Sequence, residues 1–423
     1  MSKKILLLSP PNPFLENPRS VPRLGLLSLA TVLRQAGHRV SLRHLTSLAE
    51  LGEVENGLDW IGISATTREF LDACEMLDFL KREKHPGVVA IGGPHATALP
   101  QECLSRGFDR VFVGEAEAAI LEDVQSGLPG RRIIRCAPIA DLDSLPVPER
   151  GLLEQDLAWQ PVLYSGQPPD LKITSLLLSR GCPYQCAFCG PHEFYRRRSD
   201  AGVADELQHL SAEGYGGLIL LDDLPFLNEQ QVDAFCGLVS RHRMEFRCNF
   251  RPNLITPAIA ARLAQAGCRR VQIGIESASQ RVLDEVHKGT RPGSNGAAVE
   301  ICHASGIQVK AMFIWGLPGD GPDTAGQLVN WVRRYRPDSI QVSTFAPLPG
   351  SPLWARYQDR VSDYRALGFF PDPTRPETAN GVGNERCSAQ ELDGLRRSIL
   401  EDCSGCTRID LGIPVPEENL SFA

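Results

Sequence analysis

Apolar and polar positions follow two rhythms along the first part of the chain. KILLLSPP is a continuous apolar run stopped by prolines, as in a buried strand. RLGLLSLATVLRQAG spaces its apolar residues at helical intervals and ends at Gly37, which predicts an amphipathic helix with a glycine stop. HRVSLRHL, DWIGISATT, VVAIGGPHAT and RVFVGEAE read as further strands, with a helix through EFLDACEMLDFLKRE. Five strand-like segments with helices mostly between them predict an α/β domain over residues 1–135, built as a doubly wound parallel sheet. Ligands of such sheets lie outside the carboxyl ends of the strands. Those ends carry Ser9 and Pro10, then Ser64, Ala65 and Thr66, then Gly92, Gly93, Pro94 and His95, and finally Gly114 and Glu115. Most of these are small, which lets a ligand approach the backbone.

Over residues 136–171 the rhythm lapses into proline-rich phrases such as PIADLDSLPVPERG, which predicts a linker. A second alternating series starts at ITSLLLSRG and runs through GLILLDD, EFRCNFRPN, RRVQIGIES, IQVKAMFIWGLPG and DSIQVSTFAPLPGSP. Six such βα units fall short of a closed eight-fold barrel, so residues 172–356 are expected to form an open, partial (β/α)6 barrel. Its functional residues are expected at the carboxyl ends of the strands. Residues 357–423 form a shorter C-terminal extension with one clear helix, SAQELDGLRRSILEDC, where Ser388 caps and Glu391 completes a capping box.

The bulk numbers narrow the class. With 423 residues, 42% hydrophobic and 22% charged, the chain suits two or three ordinary globular domains. A net charge of −7 argues against a general nucleic-acid binder. No apolar run approaches a membrane span, and the ILLL after the first lysines is too short for a signal peptide. A cytoplasmic protein with no membrane partner is the expectation.

The 13 cysteines change the picture. Cys74, Cys103, Cys136, Cys236, Cys248, Cys268 and Cys302 are scattered and read as buried small hydrophobes. SRGCPYQCAFCG instead gathers Cys182, Cys186 and Cys189 directly after the first barrel strand. Structural zinc sites want four protein ligands, and only His192 stands near enough in sequence to be a fourth. Three thiolates on one loop suit an iron–sulfur cluster with one iron left open for chemistry. In the tail, Cys403 and Cys406 form a CxxC with Cys387 upstream. An auxiliary cluster, a redox pair, substrate contact and plain burial all stay open for them.

The loop resembles the signature of the radical S-adenosylmethionine (SAM) superfamily, CxxxCxΦC with Φ aromatic, matched by Cys182, Cys186, Phe188 and Cys189. The resemblance implies a [4Fe–4S] cluster whose fourth iron is chelated by SAM, and reductive cleavage of SAM to a 5′-deoxyadenosyl radical. It implies roles at successive strand ends: Asp222 and Asp223 for the SAM amino group, Arg251 for its carboxylate and Glu276 for the ribose. Gly316, with Leu317 after it, would lie against the adenine. YRRRS, residues 195–199, reads mainly as a surface or helix-entry feature.

The first domain is similar to the cobalamin-binding domain found ahead of many radical SAM barrels, through PRLGLLSLATVLRQAGHRV, GISATT, IGGPHATALP and VGEAE. This resemblance implies cobalamin at Ser9, Pro10, Ser64, Ala65, Thr66, Gly92, Gly93, Pro94, His95, Gly114 and Glu115. The DxHxxG motif of domains that put a histidine on cobalt does not occur, and His44 and His95 read as structural. Together the resemblances imply a methyltransferase acting on an unactivated carbon of a small-molecule or natural-product intermediate through methylcobalamin. A low-potential donor such as flavodoxin or ferredoxin would serve it. The alternative is a radical SAM cyclisation or rearrangement with no cobalamin bound; a non-enzymatic iron–sulfur protein fits the strand ends less well.

Overall fold

The structure, a computed structural model, describes residues 2–11, 23–53, 57–153, 163–190, 194–368 and 381–410. The chain divides into two compact units. The first comprises Met1–Pro13, Pro18–Trp159 and Pro347–Leu367, and the second Phe14–Asn17, Gln160–Ala346 and Gly368–Ala423.

The first unit runs β1 (Lys4–Ser9), α1 (Leu24–Gln35), β2 (Arg39–His44), β3 (Trp60–Ser64), α2 (Phe70–Arg82) and β4 (Val88–Gly92). It continues through the short helices α3 (Pro94–Ala98) and α4 (Pro100–Arg106), then β5 (Arg110–Val113), α5 (Glu117–Ser126) and β6 (Arg132–Arg135). Among the described residues the sheet has six strands in the order β2-β1-β3-β4-β5-β6, every pair parallel. The order reverses beside β1, the topological switch point of a doubly wound sheet. Leu6, Leu8, Ile61, Ile63, Val89 and Ile91 pack with Phe70, Ala73 and Leu77 of α2 in one core. The sixth strand, RIIR, is too short and too charged to be read as one from sequence. It is latched by Asp123 of α5, whose carboxylate takes Arg110 of β5 at 2.8 Å and also Arg132.

Residues 347–367 also join this unit, through α12 (Trp354–Tyr357) and the turn after it. Arg365 pairs with Asp72 at 3.0 Å and Glu75 at 2.5 Å on α2, and the Tyr364 hydroxyl donates to Glu102 at 2.9 Å. The expected boundary at residue 356 is therefore not where the structure divides.

The second unit begins with β7 (Ile173–Leu176) and the two-residue strands β8 (Ser179–Arg180) and β9 (Arg196–Arg197). It continues with α6 (Asp200–Ala212), β10 (Gly217–Leu220), α7 (Glu229–Val239), β11 (Glu245–Phe250), α8 (Pro257–Gln265) and β12 (Cys268–Glu276). Next come α9 (Gln280–Glu285), α10 (Pro292–Ala304), β13 (Gln308–Trp315), α11 (Pro322–Tyr335), β14 (Ser339–Thr344), α13 (Ala389–Ser404) and β15 (Arg408–Ile409). Among the described residues its main sheet is parallel and open, in the order β15-β14-β13-β12-β11-β10-β7. The six expected strands are present, and the tail adds a seventh at the far edge, pairing Ser339↔Arg408. α13 starts with the capping box read from sequence: Ser388 accepts from the Glu391 amide, and Glu391 reaches back to Ser388 N.

Strand alternation fixes the two faces. Phe246, Cys248 and Phe250 of β11, Val271, Ile273 and Ile275 of β12, and Val309, Ala311 and Phe313 of β13 meet the helices. Arg247, Asn249, Arg270, Gln272 and Lys310 fall on the inner face. Among the described residues no helix is long and apolar enough to cross a membrane.

Candidate active site

The cysteine loop is a closed excursion. β8 and β9 pair antiparallel on either side of it, Ser179↔Arg197 and Arg180↔Arg196, so the YRRRS run supplies the strand that seals its base. Arg198 also pairs with Glu206 on α6, which makes the run structural. Inside the loop the Cys189 amide donates to Cys186 O at 3.1 Å, and the Ala187 amide to Val286 O at 2.9 Å. Cys186 is buried, Cys182 half-buried and Cys189 exposed. Burial pushes the Cys182 thiol up, with Asp223 and Cys186 adding to the rise while the Tyr184 amide and Arg251 oppose it.

Among the described residues no group of cysteine, histidine or acidic side chains converges as it would on one metal ion. Three cysteines that each bind a different iron have no need to converge on one point, so the donor set fits a cluster. His192, the possible fourth zinc ligand, lies outside the described residues.

Arg251 stands directly after β11 and is buried against this loop. Its Nη1 is 3.7 Å from Cys186 Sγ, its Nη2 donates to Lys288 O, and its guanidinium carbon lies 3.8 Å from the Tyr184 ring centroid. Nε is buried with no hydrogen-bond partner among the described residues, so one donor remains unspent beside the thiols.

The two aspartates after β10 separate in role. Asp222 is buried, and its carboxylate accepts from Leu178 N at 3.0 Å, Ser179 N at 2.6 Å and Ser179 Oγ at 2.6 Å. Burial raises its carboxyl to about 6, against the pull of those donors. It clamps the end of β7 where the cysteine loop begins. With Oδ1 taking three donors and Oδ2 the Leu178 amide at 3.2 Å inside the fold, Asp222 is built as a clamp, and Asp223 is the more accessible of the two expected partners of the SAM amino group. Asp223 is exposed and close enough to raise both Cys182 and Cys189.

Glu276 ends β12 with φ 62°, a left-handed conformation rare outside glycine and costly to hold. The strand register slips between Gly274 and Glu276. The carboxylate folds back beneath the strand end, where a Cβ on Gly274 would lie 2.5 Å from Glu276 Oε1. Lys288 Nζ meets that oxygen at 2.8 Å, and both partners are buried. Lys288, missed by sequence reasoning, sits in a segment that also supplies Val286 O to the cysteine loop and Lys288 O to Arg251.

On β13 the loop after Trp315 is set by Asp320. Its carboxylate accepts from Gly316 N at 3.0 Å and Thr324 Oγ1 at 2.9 Å, and burial raises it to about 7. Gly316 has φ 97°, a conformation open to glycine. Leu317 is wholly buried and its carbonyl accepts from Asn384 Nδ2 at 3.0 Å, so it braces the loop beside Gly316. Cys387 and Cys403 lie in the helix-side core, with Cys406 packed against it and its thiol donating to Cys403 O at 3.2 Å. Of the four uses open to the tail cysteines, this packing fits plain burial.

In the first unit the expected cobalamin residues form the carboxyl edge of the sheet. The Ala65 amide donates to Gly92 O at 3.1 Å and the His95 amide to Ala65 O at 3.2 Å, tying the loops after β3 and β4 together. Gly93 has φ 91°, and a Cβ there would come within 2.9 Å of both Ala65 O and Ser64 Oγ. Gly114 has φ 89° and donates to Thr97 Oγ1 at 3.1 Å, while Glu115 accepts from Ile139 N at 2.7 Å. Thr66 spends its amide and hydroxyl on Glu69, each at 2.9 Å. Ser64, Gly92, Gly93, Pro94 and Gly114 thus leave a low shelf, which fits a broad, flat ligand.

Three residues drop below that shelf. Ser9 and Ala65 are buried, and so is His95, stacked at 3.8 Å on Phe70 with Nε2 3.6 Å from Glu102. Pro10 follows Ser9, whose hydroxyl donates to its carbonyl at 3.3 Å.

Comparison with known proteins finds a family-model match in each unit. The radical SAM superfamily model matches residues 176–332, and the B12 binding domain model matches residues 18–122. An uncharacterised methyltransferase of Pyrococcus horikoshii is 28% identical over 79% of this chain and 78% of its own length. The anaerobic magnesium-protoporphyrin IX monomethyl ester cyclase of Rubrivivax gelatinosus is 26% identical over 75% of this chain and 62% of its own. Among solved structures, the radical SAM methyltransferase TsrM of Kitasatospora setae superposes with a TM-score of 0.71 at 19% identity, over 99% of this chain and 92% of TsrM, which shows the shared fold. A [4Fe–4S] cluster, SAM and cobalamin are the cofactors that these two domains imply. The chain is an enzyme that carries a B12 binding domain followed by a radical SAM superfamily domain.

Proposed function

We propose that this enzyme is a cobalamin-dependent methyltransferase that modifies an unactivated carbon of a small molecule. The observation that carries the reading is one chain with two matched sites: three thiols with a guanidinium 3.7 Å from one of them, and a sheet edge of small residues. When bound, the cluster and SAM supply a radical able to abstract hydrogen, and cobalamin supplies the methyl group.

The chain's own residues divide the remaining work. Cys182, Cys186 and Cys189 hold three irons, and Arg251 offsets thiolate charge while offering Nε to the SAM carboxylate. Asp223 faces the amino group, Glu276 held by Lys288 faces the ribose, and the Gly316 backbone lies along the adenine. Asp222 and Asp320 position the loops that carry these groups, and Phe188 of the cysteine loop joins the residues that face SAM. Ser64, Thr66, Gly92, Gly93, Pro94, Gly114 and Glu115 line the cobalamin shelf, with Pro10 at the end of β1. A small low-potential protein such as flavodoxin or ferredoxin supplies the electron.

The cyclase relative favours a second reading, ring formation without methyl transfer. Deuteromethyl-labelled SAM separates the two. The reduced holoenzyme, supplied with a small-molecule extract, is expected to yield 5′-deoxyadenosine together with a product carrying the labelled methyl. Formation of 5′-deoxyadenosine and a changed product without label would overturn methyl transfer and leave cyclisation.

A further inference from the structure

The inner face of the second unit's sheet carries a charge imbalance that the cluster site does not use. Arg247, Arg270 and Lys310 stand on the neighbouring strands β11, β12 and β13, with Arg247 in register with Arg270 and Gln272 with Lys310. Asp410, just past β15, is the carboxylate that meets them: it lies 2.8 Å from Lys310 Nζ and 3.7 Å from Arg270 Nη2. Arg270 has a further partner in Ser339 Oγ at 2.6 Å. The other nearby carboxylates are committed elsewhere. Glu245 takes Arg269 and the Tyr164 hydroxyl, each at 2.7 Å, and Asp338 takes His303 at 2.9 Å and the Val309 amide at 2.7 Å.

Arg247 is left over. Its Nε is buried with no hydrogen-bond partner among the described residues, and its neighbours across the sheet are Ile219 on one side and Arg270 on the other. Burial and the Arg270 charge depress it to about 10, with the Asp410 carboxylate opposing, so it stays protonated at neutral pH. Arg247 is half-buried and forms no ion pair among the described residues, and its planar fork suits a carboxylate or phosphate held by two bonds.

The walls above it differ in character. Asn249 and Gln272 rise beside it toward the cysteine loop, while Leu163, Ile173 and Ile219 form an apolar cluster across the face. Arg251, just past the end of β11 at the cluster loop, follows Arg247 by four residues, which is about 13 Å at strand rise.

We propose that the small-molecule substrate carries an oxyanion, a carboxylate or a phosphate, that docks on Arg247 inside the partial barrel, with Arg270 and Lys310 adding to the attraction. This rests on the barrel being the substrate site of the enzyme proposed above. The substrate would be an amphipathic acid, its anion low in the barrel and its reacting carbon toward the cysteine loop.

The test is calorimetric titration of the anaerobically reconstituted full chain with glutarate and, separately, inorganic phosphate at fixed ionic strength. Wild type is compared with Arg247→Gln and Arg247→Lys. Saturable binding of at least one anion is expected, weakened at least about tenfold in the glutamine variant and less in the lysine variant. Glutarate alone would uphold a carboxylate substrate, and phosphate alone a phosphorylated one. Without added anion, Arg247→Gln should melt above wild type because the charge it removes is unpaired; a bracing role would make it melt lower. Absence of binding to wild type, or equal binding to the glutamine variant, would overturn the proposal. Cluster absorbance in each protein keeps this separate from the cluster assignment, which fails only if wild type itself assembles no cluster.

Discussion

The two units prepare for their cofactors by opposite means. The barrel unit concentrates reactive side chains at its strand ends: three thiols, Arg251, and the buried carboxylates Asp222, Glu276 and Asp320. The first unit withdraws side chains from its strand ends, so that Gly92, Gly93 and Gly114 leave half-buried backbone beside Ser64. One site is built from what residues offer, the other from what they leave out. A substitution that removes a functional group should therefore hurt the barrel, whereas one that adds atoms should hurt the first unit.

The largest effect that could break this contrast lies in the loop. Alanine at any one of Cys182, Cys186 or Cys189 should reduce SAM cleavage to background while corrinoid content is kept; retained cleavage would remove the cluster from these residues. Arg251→Ala should come next, weakening SAM binding on the order of tenfold to a hundredfold while leaving the iron in place. Unchanged affinity would reduce Arg251 to a brace between Tyr184 and Lys288. Gly93→Val tests the opposite logic. Its Cβ would press on Ala65 O and Ser64 Oγ from a backbone conformation that valine resists. The expected cost is about 1–3 kcal/mol of stability with loss of corrinoid and full retention of iron.

Legibility followed the same divide. The cysteine loop was readable because three thiols at short spacing have few other uses, and the strand ends followed from the six-fold rhythm. Residue type could not say which of two adjacent aspartates turns inward. Asp222 does, because the end of β7 needs an acceptor for two amides. Lys288 escaped notice because a buried ion pair depends on a partner twelve residues away in the chain, and no periodicity marks it. β6 and β15 are too short to give a pattern, and they become strands only through a neighbour that is already placed. Arg247 carries no mark in the sequence, because its lack of an ion pair shows only once the nearby carboxylates are seen to be taken.

Two smaller effects sharpen the picture of the barrel. The folded Asp320 carboxyl sits at about 7, above the value near 4 of an unfolded aspartate. Between those values the folded chain holds a proton that the unfolded chain has lost, so stability contributed here falls as pH rises from about 4 to about 7. Asp320→Asn should flatten that part of the stability curve, and an unchanged slope would show that Asp320 is not its source. The smallest functional effect is expected from Cys403→Ala with Cys406→Ala, which should trim stability by about 1–3 kcal/mol and leave the iron content intact. Loss of about four irons would instead reveal a second cluster in the tail.

The most direct measurement is the joint stoichiometry of iron, sulfide and corrinoid in protein purified without oxygen from cells supplied with hydroxocobalamin. About four irons per chain and corrinoid equimolar with the chain are the predicted result. Four irons without corrinoid would contradict the account, leaving a radical SAM barrel whose first unit holds no cofactor.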